Sequence, residues 1–474
     1  MLIIVTILAY FGILLVFSKL TAKRSDNDTF YRANRRSPWY MVAFGMVGAS
    51  ISGVTFISVP GMAATSDMTY LQTCMGFAVG YWVVALVLLP IYYRYDLTTI
   101  YSYLRIRLGQ RSYRAGASFF FLSKITGAAV RFYVVCMLLQ QFVLDAWGVP
   151  FVLTVAVMVA LIWLYTRRGG VKTLVWTDTF QTLCMFTALV LILVHVTDAL
   201  HLSLGEAVGK VMADSHSRVF EFDDWFSRQH FVKQFLSGIF IVVVMTGLDQ
   251  DMMQKNLTCK TLTDARKDMC CYGLAFLPAN LLFLALGVLL MTLAQHEGLP
   301  VAGDALLPAF AATGRLGEAV VVFFTIGIVA ASFSSADSAL TSLTTTYCVD
   351  LRERPHDEQL RRRAHVGIAV VFAAAILLFR AVNSSSLLDA IYVLCSYTYG
   401  PLLGMFALAL FTKRAVNDRV VPYIVVASPL LCWGIDTWVT AVSAYRFGYE
   451  LLMLNGMLTF VGLWVTGKKQ QIIV

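Results

Sequence analysis

Apolar residues gather along this chain into long runs divided by short polar stretches. Crossing the hydrocarbon of a membrane takes a helix of roughly 20 mainly apolar residues. Thirteen runs approach that length, near 1–18, 39–63, 71–93, 115–144, 150–166, 174–197, 234–254, 270–294, 317–347, 365–381, 386–411, 421–443 and 449–466. The pattern predicts an all-α integral membrane protein of about 13 transmembrane helices, with 1–474 forming a single transmembrane domain. The first run has no basic residue before it and no small-residue cleavage site after it, so it is expected to stay as a span.

Composition narrows the picture further. Hydrophobic residues make up 58% and charged residues 14%, against about 25% charged in ordinary globular proteins. Mean hydropathy is +0.72, so membrane lipid is the main solvent. A soluble enzyme, a disordered regulator and a nucleic-acid-binding domain are excluded. The net charge of +9 is a matter of placement, because 28 of the 37 Lys and Arg fall in the alternate loops 19–38, 93–114, 166–173, 255–269, 351–364, 412–419 and 467–474. Basic loops stay cytoplasmic, which puts the N-terminus outside and the C-terminus inside, in what is expected to be a bacterial inner membrane. The largest polar insertion, 198–232, is then external and is expected to form a short surface helix. No appended domain and no obligate protein partner are expected.

Several chemistries lack their residues. The nine cysteines show no metal-ligand spacing, and all seven histidines lie in loops or near span ends. No phosphate-binding loop occurs. The chain therefore reads as no enzyme and no ATP-driven pump, with no organic cofactor. A carrier of this composition would run on an ion gradient.

Polar groups at membrane depth are costly and point to function. The stretch 45–61 in the second run holds Gly48, Ser50, Ser52, Gly53, Thr55 and Pro60. It reads either as a small-residue packing face or as a broken helix whose carbonyls and hydroxyls line a site. In the ninth run Ala331, Ser334, Ser335 and Ser338 recur at i, i+3, i+4 and i+7, stacking oxygens on one face beside Asp337. Hard cations are bound by oxygens. Asp178 enters the sixth run from the cytoplasmic side, as an interfacial carboxylate or part of an ion path. Arg131 sits mid-run in the fourth and needs an internal partner such as Asp249 or Asp251, or an anionic ligand.

Together these segments resemble the sodium/solute symporter family, in its sialic-acid and sugar-type members with a leucine-transporter-like fold. The resemblance rests on Gly169-Gly170 followed by Trp176-Thr177-Asp178-Thr179-Phe180-Gln181, on Ser334-Ser335-Ala336-Asp337-Ser338, and on Tyr397-Thr398-Tyr399-Gly400-Pro401. Asp249-Gln250-Asp251 ahead of Lys255 adds to it. It implies two five-helix inverted repeats, about 39–197 and 234–411, with a discontinuous first core helix and peripheral helices at 1–18, 421–443 and 449–466. It also implies a main sodium (Na+) site from carbonyls of Gly48, Ile51 and Ala331 with hydroxyls of Ser334 and Ser335. A second sodium or ion-coupling role would fall to Asp178, Asp337 and Ser338, and substrate binding to Ser50, Ser52, Thr55, Gln72 and Arg131. The expected activity is sodium-coupled import of a small organic solute, with an anion such as sialic acid or a monocarboxylate to the fore. A neutral sugar or amino acid, or a transport-like solute sensor, is the alternative.

Overall fold

The computed structural model describes residues 2–21, 26–380, 387–443 and 445–467. Among them there is no β-strand, and a helix coincides with each of the thirteen apolar runs. Eight helices are long and apolar enough to cross a membrane alone, and two further crossings come from bent pairs. Shorter apolar helices, Val5–Thr21, Phe151–Thr166 and Leu451–Thr466, occupy the three remaining positions. On Val421–Val442 the large side chains of Tyr423, Leu430, Trp433 and Trp438 are exposed. An apolar surface of that kind is satisfied by lipid, which makes this helix peripheral.

The second span is broken. Its first half, Trp39–Ser50, stops where Ile51 turns to ψ 85°. Its second half, Gly53–Ser66, starts from extended Ser52, whose side chain accepts from the Thr55 amide. Serine is a favoured N-cap because its oxygen satisfies an amide that a helix start leaves free. The two halves meet at a 61° bend. The small-residue face is also real: a Cβ on Gly48 would overlap the Thr182 side chain in the sixth span, and one on Gly53 would overlap Ser332 in the ninth. Packing and breakage are therefore two uses of one stretch.

The seventh span breaks in the same manner, which its apolar run conceals. Phe231–Gly247 and Gln250–Asn256 meet at 69°. Asp249 caps the second half, accepting from the amides of Asp251 at 2.8 Å and Met252 at 3.4 Å. The two broken spans lie five spans apart. Outside the bundle, Leu204–Ala213 forms the expected surface helix, closed by a capping box of Ser203 and Glu206. One basic residue is corrected here. Lys255, expected in a cytoplasmic loop, is 2% exposed in the bundle interior, because the bend turns the end of the seventh span inward.

Candidate ion and substrate site

The break in the second span opens onto a cavity of about 90 Å³. Ser50, Ser52 and Thr55 line it from the break, Ser335 from the ninth span, and Lys124 and Arg131 from the fourth. The step of seven residues from Lys124 to Arg131 is about two helical turns, so both cations lie on one face. Aromatic hydroxyls complete the wall. Ser50 bonds to the Tyr272 hydroxyl, which also receives the Tyr81 hydroxyl at 2.6 Å. Above the cavity Tyr70 and Tyr392 share a hydrogen bond of 3.0 Å. Tyr70 also lines a second cavity of about 340 Å³, together with Thr65, Arg228, Gln234 and Asp304. Tyr392 lines the first cavity and Tyr70 the second, so their bond joins the two walls.

The mid-membrane cations are not equivalent. Lys124 reaches Asp251 at 2.6 Å and Asp249 at 3.2 Å, and Asp249 also accepts from the Tyr399 hydroxyl at 2.5 Å. One ammonium thus joins the fourth span to the break in the seventh. Asp249 and Asp251 were the internal partners expected for Arg131; Lys124 holds both of them instead. Among the described residues no ion pair or hydrogen bond engages the Arg131 guanidinium, and Arg131 lines the cavity.

The ninth span carries the oxygens expected for sodium. The Ser335 hydroxyl donates to the Ala49 carbonyl at 3.0 Å and to Ala331 at 3.3 Å, tying that span to the break. Gly48 precedes Ala49 and Ile51 lies two residues beyond it, and a helix end leaves carbonyls without amide partners. Ser334 donates to Asp178 Oδ1 at 2.8 Å. A hydroxyl has one proton and two lone pairs, so Ser334 can hold that bond and still offer its oxygen to a cation. Asp178 Oδ2 pairs with Lys255 at 2.7 Å. Asp337 is fully buried, accepting from Tyr165 at 2.7 Å and from Ser338 at 3.2 Å.

The model of the Sodium:solute symporter family matches residues 30–419. This chain belongs to that family. The sodium/sialic acid symporter NanT of Aliivibrio fischeri is 25% identical over 456 residues, covering 90% of this chain and 86% of that one. The sodium/sialic acid symporter SiaT of Proteus mirabilis is 24% identical, covering 93% and 88%. A solved structure described as a substrate-bound outward-open state of a Na+-coupled sialic acid symporter superposes with a TM-score of 0.85 at 19% identity, covering 99% of both chains. The fold is the same throughout.

Against that family background, the structure gathers most of the expected residues and leaves one out. Ser50, Ser52, Thr55 and Arg131 share a cavity, and Ser334, Asp178, Asp337 and Ser338 form one buried cluster. Gln72 lies elsewhere. Its amide donates to the Gln229 carbonyl at 2.8 Å and accepts from the Glu221 amide at 3.2 Å, so it fastens the external loop. A polar side chain in an apolar run attracted the substrate assignment, and a loop that folds back over the span end explains it. Three participants were missed in these roles: Lys124, Lys255 and Tyr399. The heptad step from Lys124 to Arg131 and the acidic pair at 249 and 251 were the available signal.

Proposed function

We propose that this symporter imports a small organic anion together with sodium, with sialic acid as the first candidate. The observation that carries the reading is Arg131, a cation in the cavity whose nearest expected carboxylates belong to Lys124. A guanidinium keeps its charge and offers two parallel donors to a carboxylate. Ser52 and Thr55 on the same cavity wall suit the hydroxyls of a sugar acid. Solute reaching this cavity from the external side passes the Tyr70–Tyr392 pair, which parts to admit it.

Sodium occupies the junction between the second and ninth spans, held by carbonyls of Gly48, Ile51 and Ala331 and hydroxyls of Ser334 and Ser335. Binding there fixes the break against the ninth span, which couples ion to cavity because Ser335 lines both. The repeats run over about 39–197 and 234–411, with breaks in the first span of each. The basic loops are cytoplasmic, the tyrosine pair lies on the external side, and the membrane is the bacterial plasma membrane.

The test is uptake of radiolabelled N-acetylneuraminic acid into proteoliposomes under an inward sodium gradient. Uptake that vanishes when potassium replaces sodium supports the reading. Arg131→Lys should weaken binding at least tenfold with little change in melting temperature. If Arg131→Gln carries a neutral sugar at the wild-type rate, the neutral-solute alternative replaces this one.

A further inference from the structure

Asp178 and Asp337 offer the oxygen-rich cluster in which a second sodium was expected, and this chain has already placed a cation there. Lys255 leaves the short helix Gln250–Asn256 and sets its ammonium 2.7 Å from Asp178 Oδ2. Both partners are almost completely buried, with side-chain exposures of 3% and 1%. Asp251 and Asp337 add their attraction to the same ammonium. The other oxygens of the cluster are bound to one another: Ser334 donates to Asp178, Ser338 donates to Asp337 and to the Ser334 carbonyl, and Tyr165 donates to Asp337. The break in the seventh span makes this possible, since it turns the Lys255 helix into the bundle by 69°.

We propose that the Lys255 ammonium is the resident second cation of this symporter, so that the chain binds one sodium ion where its acidic cluster has the oxygens for two. A sodium ion on Asp178 would stand about 4 Å from the ammonium. At an effective dielectric of about 20, that repulsion lowers affinity on the order of a thousandfold. The ammonium is tethered to the chain and cannot leave with the solute. Asp178 therefore stays paired through the cycle and acts by orienting Ser334, whose oxygen faces the main site. Asp178 and Lys255 are positioning residues in this scheme.

The inference rests on sodium being the coupling ion, and the test separates the two ideas. Purified full-length protein is titrated with ²²Na⁺ alone in a scintillation-proximity assay. The wild type should bind one ion, lost in Ser335→Ala, and Lys255→Ala should bind two. Two ions on the wild type overturn the proposal, as does Lys255→Ala remaining at the wild-type number. No binding to the wild type overturns the sodium reading instead; the Lys255 proposal then stands on a gain from none to one and falls without it. Should Lys255→Ala not purify as a single species, Lys255→Gln keeps the length without the charge. Asp337→Asn adds a readout that leaves Lys255 in place: the number should stay at one, whereas a second sodium on Asp337 would make it fall.

Discussion

Lys124 holds two buried carboxylates with a single ammonium, so its loss strands both. Breaking a buried ion pair by removing one partner destabilises by about 3–5 kcal/mol. Lys124→Met should lower the melting temperature markedly in detergent, and Lys124→Arg should recover most of it. A second expectation belongs to Ser334, which Asp178 holds at 2.8 Å. Asp178→Asn should raise the sodium concentration for half-maximal uptake several-fold while solute affinity at saturating sodium stays within about threefold. Tracer uptake against sodium and equilibrium binding check the two halves. These cases show what single residues disclose before folding. Arg131, Ser52, Thr55 and Ser335 stand out as polar groups in apolar runs, and the structure puts all four on one cavity. Lys124 stands out as clearly, yet the nearer in sequence of its two partners, Asp249, lies 125 residues further on. A lysine's pairing depends on which spans touch, and spacing along the chain does not encode that. Lys255 was hidden for a simpler reason: it ends an apolar run, where lysines usually meet water.

At the scale of elements, the thirteen helices were legible because hydrocarbon imposes a minimum length that sequence records directly. The first break was legible too, since Ser50, Ser52 and Gly53 crowd one turn. The second was not, because Asp249, Gln250 and Asp251 fall inside an apolar run that continues to 254, and only the bend shows that Asp249 serves as a cap. A helix interrupted by one polar cap looks continuous to any reading based on hydropathy. The packed break makes a sharp prediction. Gly48→Val places a branched side chain where Thr182 already stands, and overpacking costs about 1–3 kcal/mol. Sodium-dependent uptake should fall at least tenfold. Gly12 has nothing within 4 Å of a new Cβ, so Gly12→Val should keep uptake within twofold. Equal effects at the two positions would show that the close contact between the second and sixth spans is dispensable.

Over the whole molecule, the hydrogen bond between Tyr70 and Tyr392 links the walls of the two cavities, and Tyr449 packs on the Tyr392 ring with centroids 4.7 Å apart. Cys395 lines the inner one and is buried, which makes it a native reporter of opening. Tyr70→Phe keeps the ring and removes the bond, worth about 0.5–1.5 kcal/mol. Maleimide modification of Cys395, read by mass spectrometry, should accelerate about two- to tenfold. A solute that occupies the cavity should slow it again. The resident ammonium at Lys255 reaches further, into bioenergetics. A transporter that carries one sodium with a solute bearing one carboxylate moves no net charge. The membrane potential then does no work on the cycle, and a tenfold sodium ratio sustains about a tenfold solute ratio, or about 1.4 kcal/mol. A second mobile sodium would multiply that by another factor of about ten, and 100 mV would add roughly fifty-fold, from about 2.3 kcal/mol per charge. By tethering one cation as a side chain, the protein gives up that reach. Its accumulation should be indifferent to valinomycin-imposed voltage, and the same lysine that fills the cluster would set how steep a gradient the cell can hold.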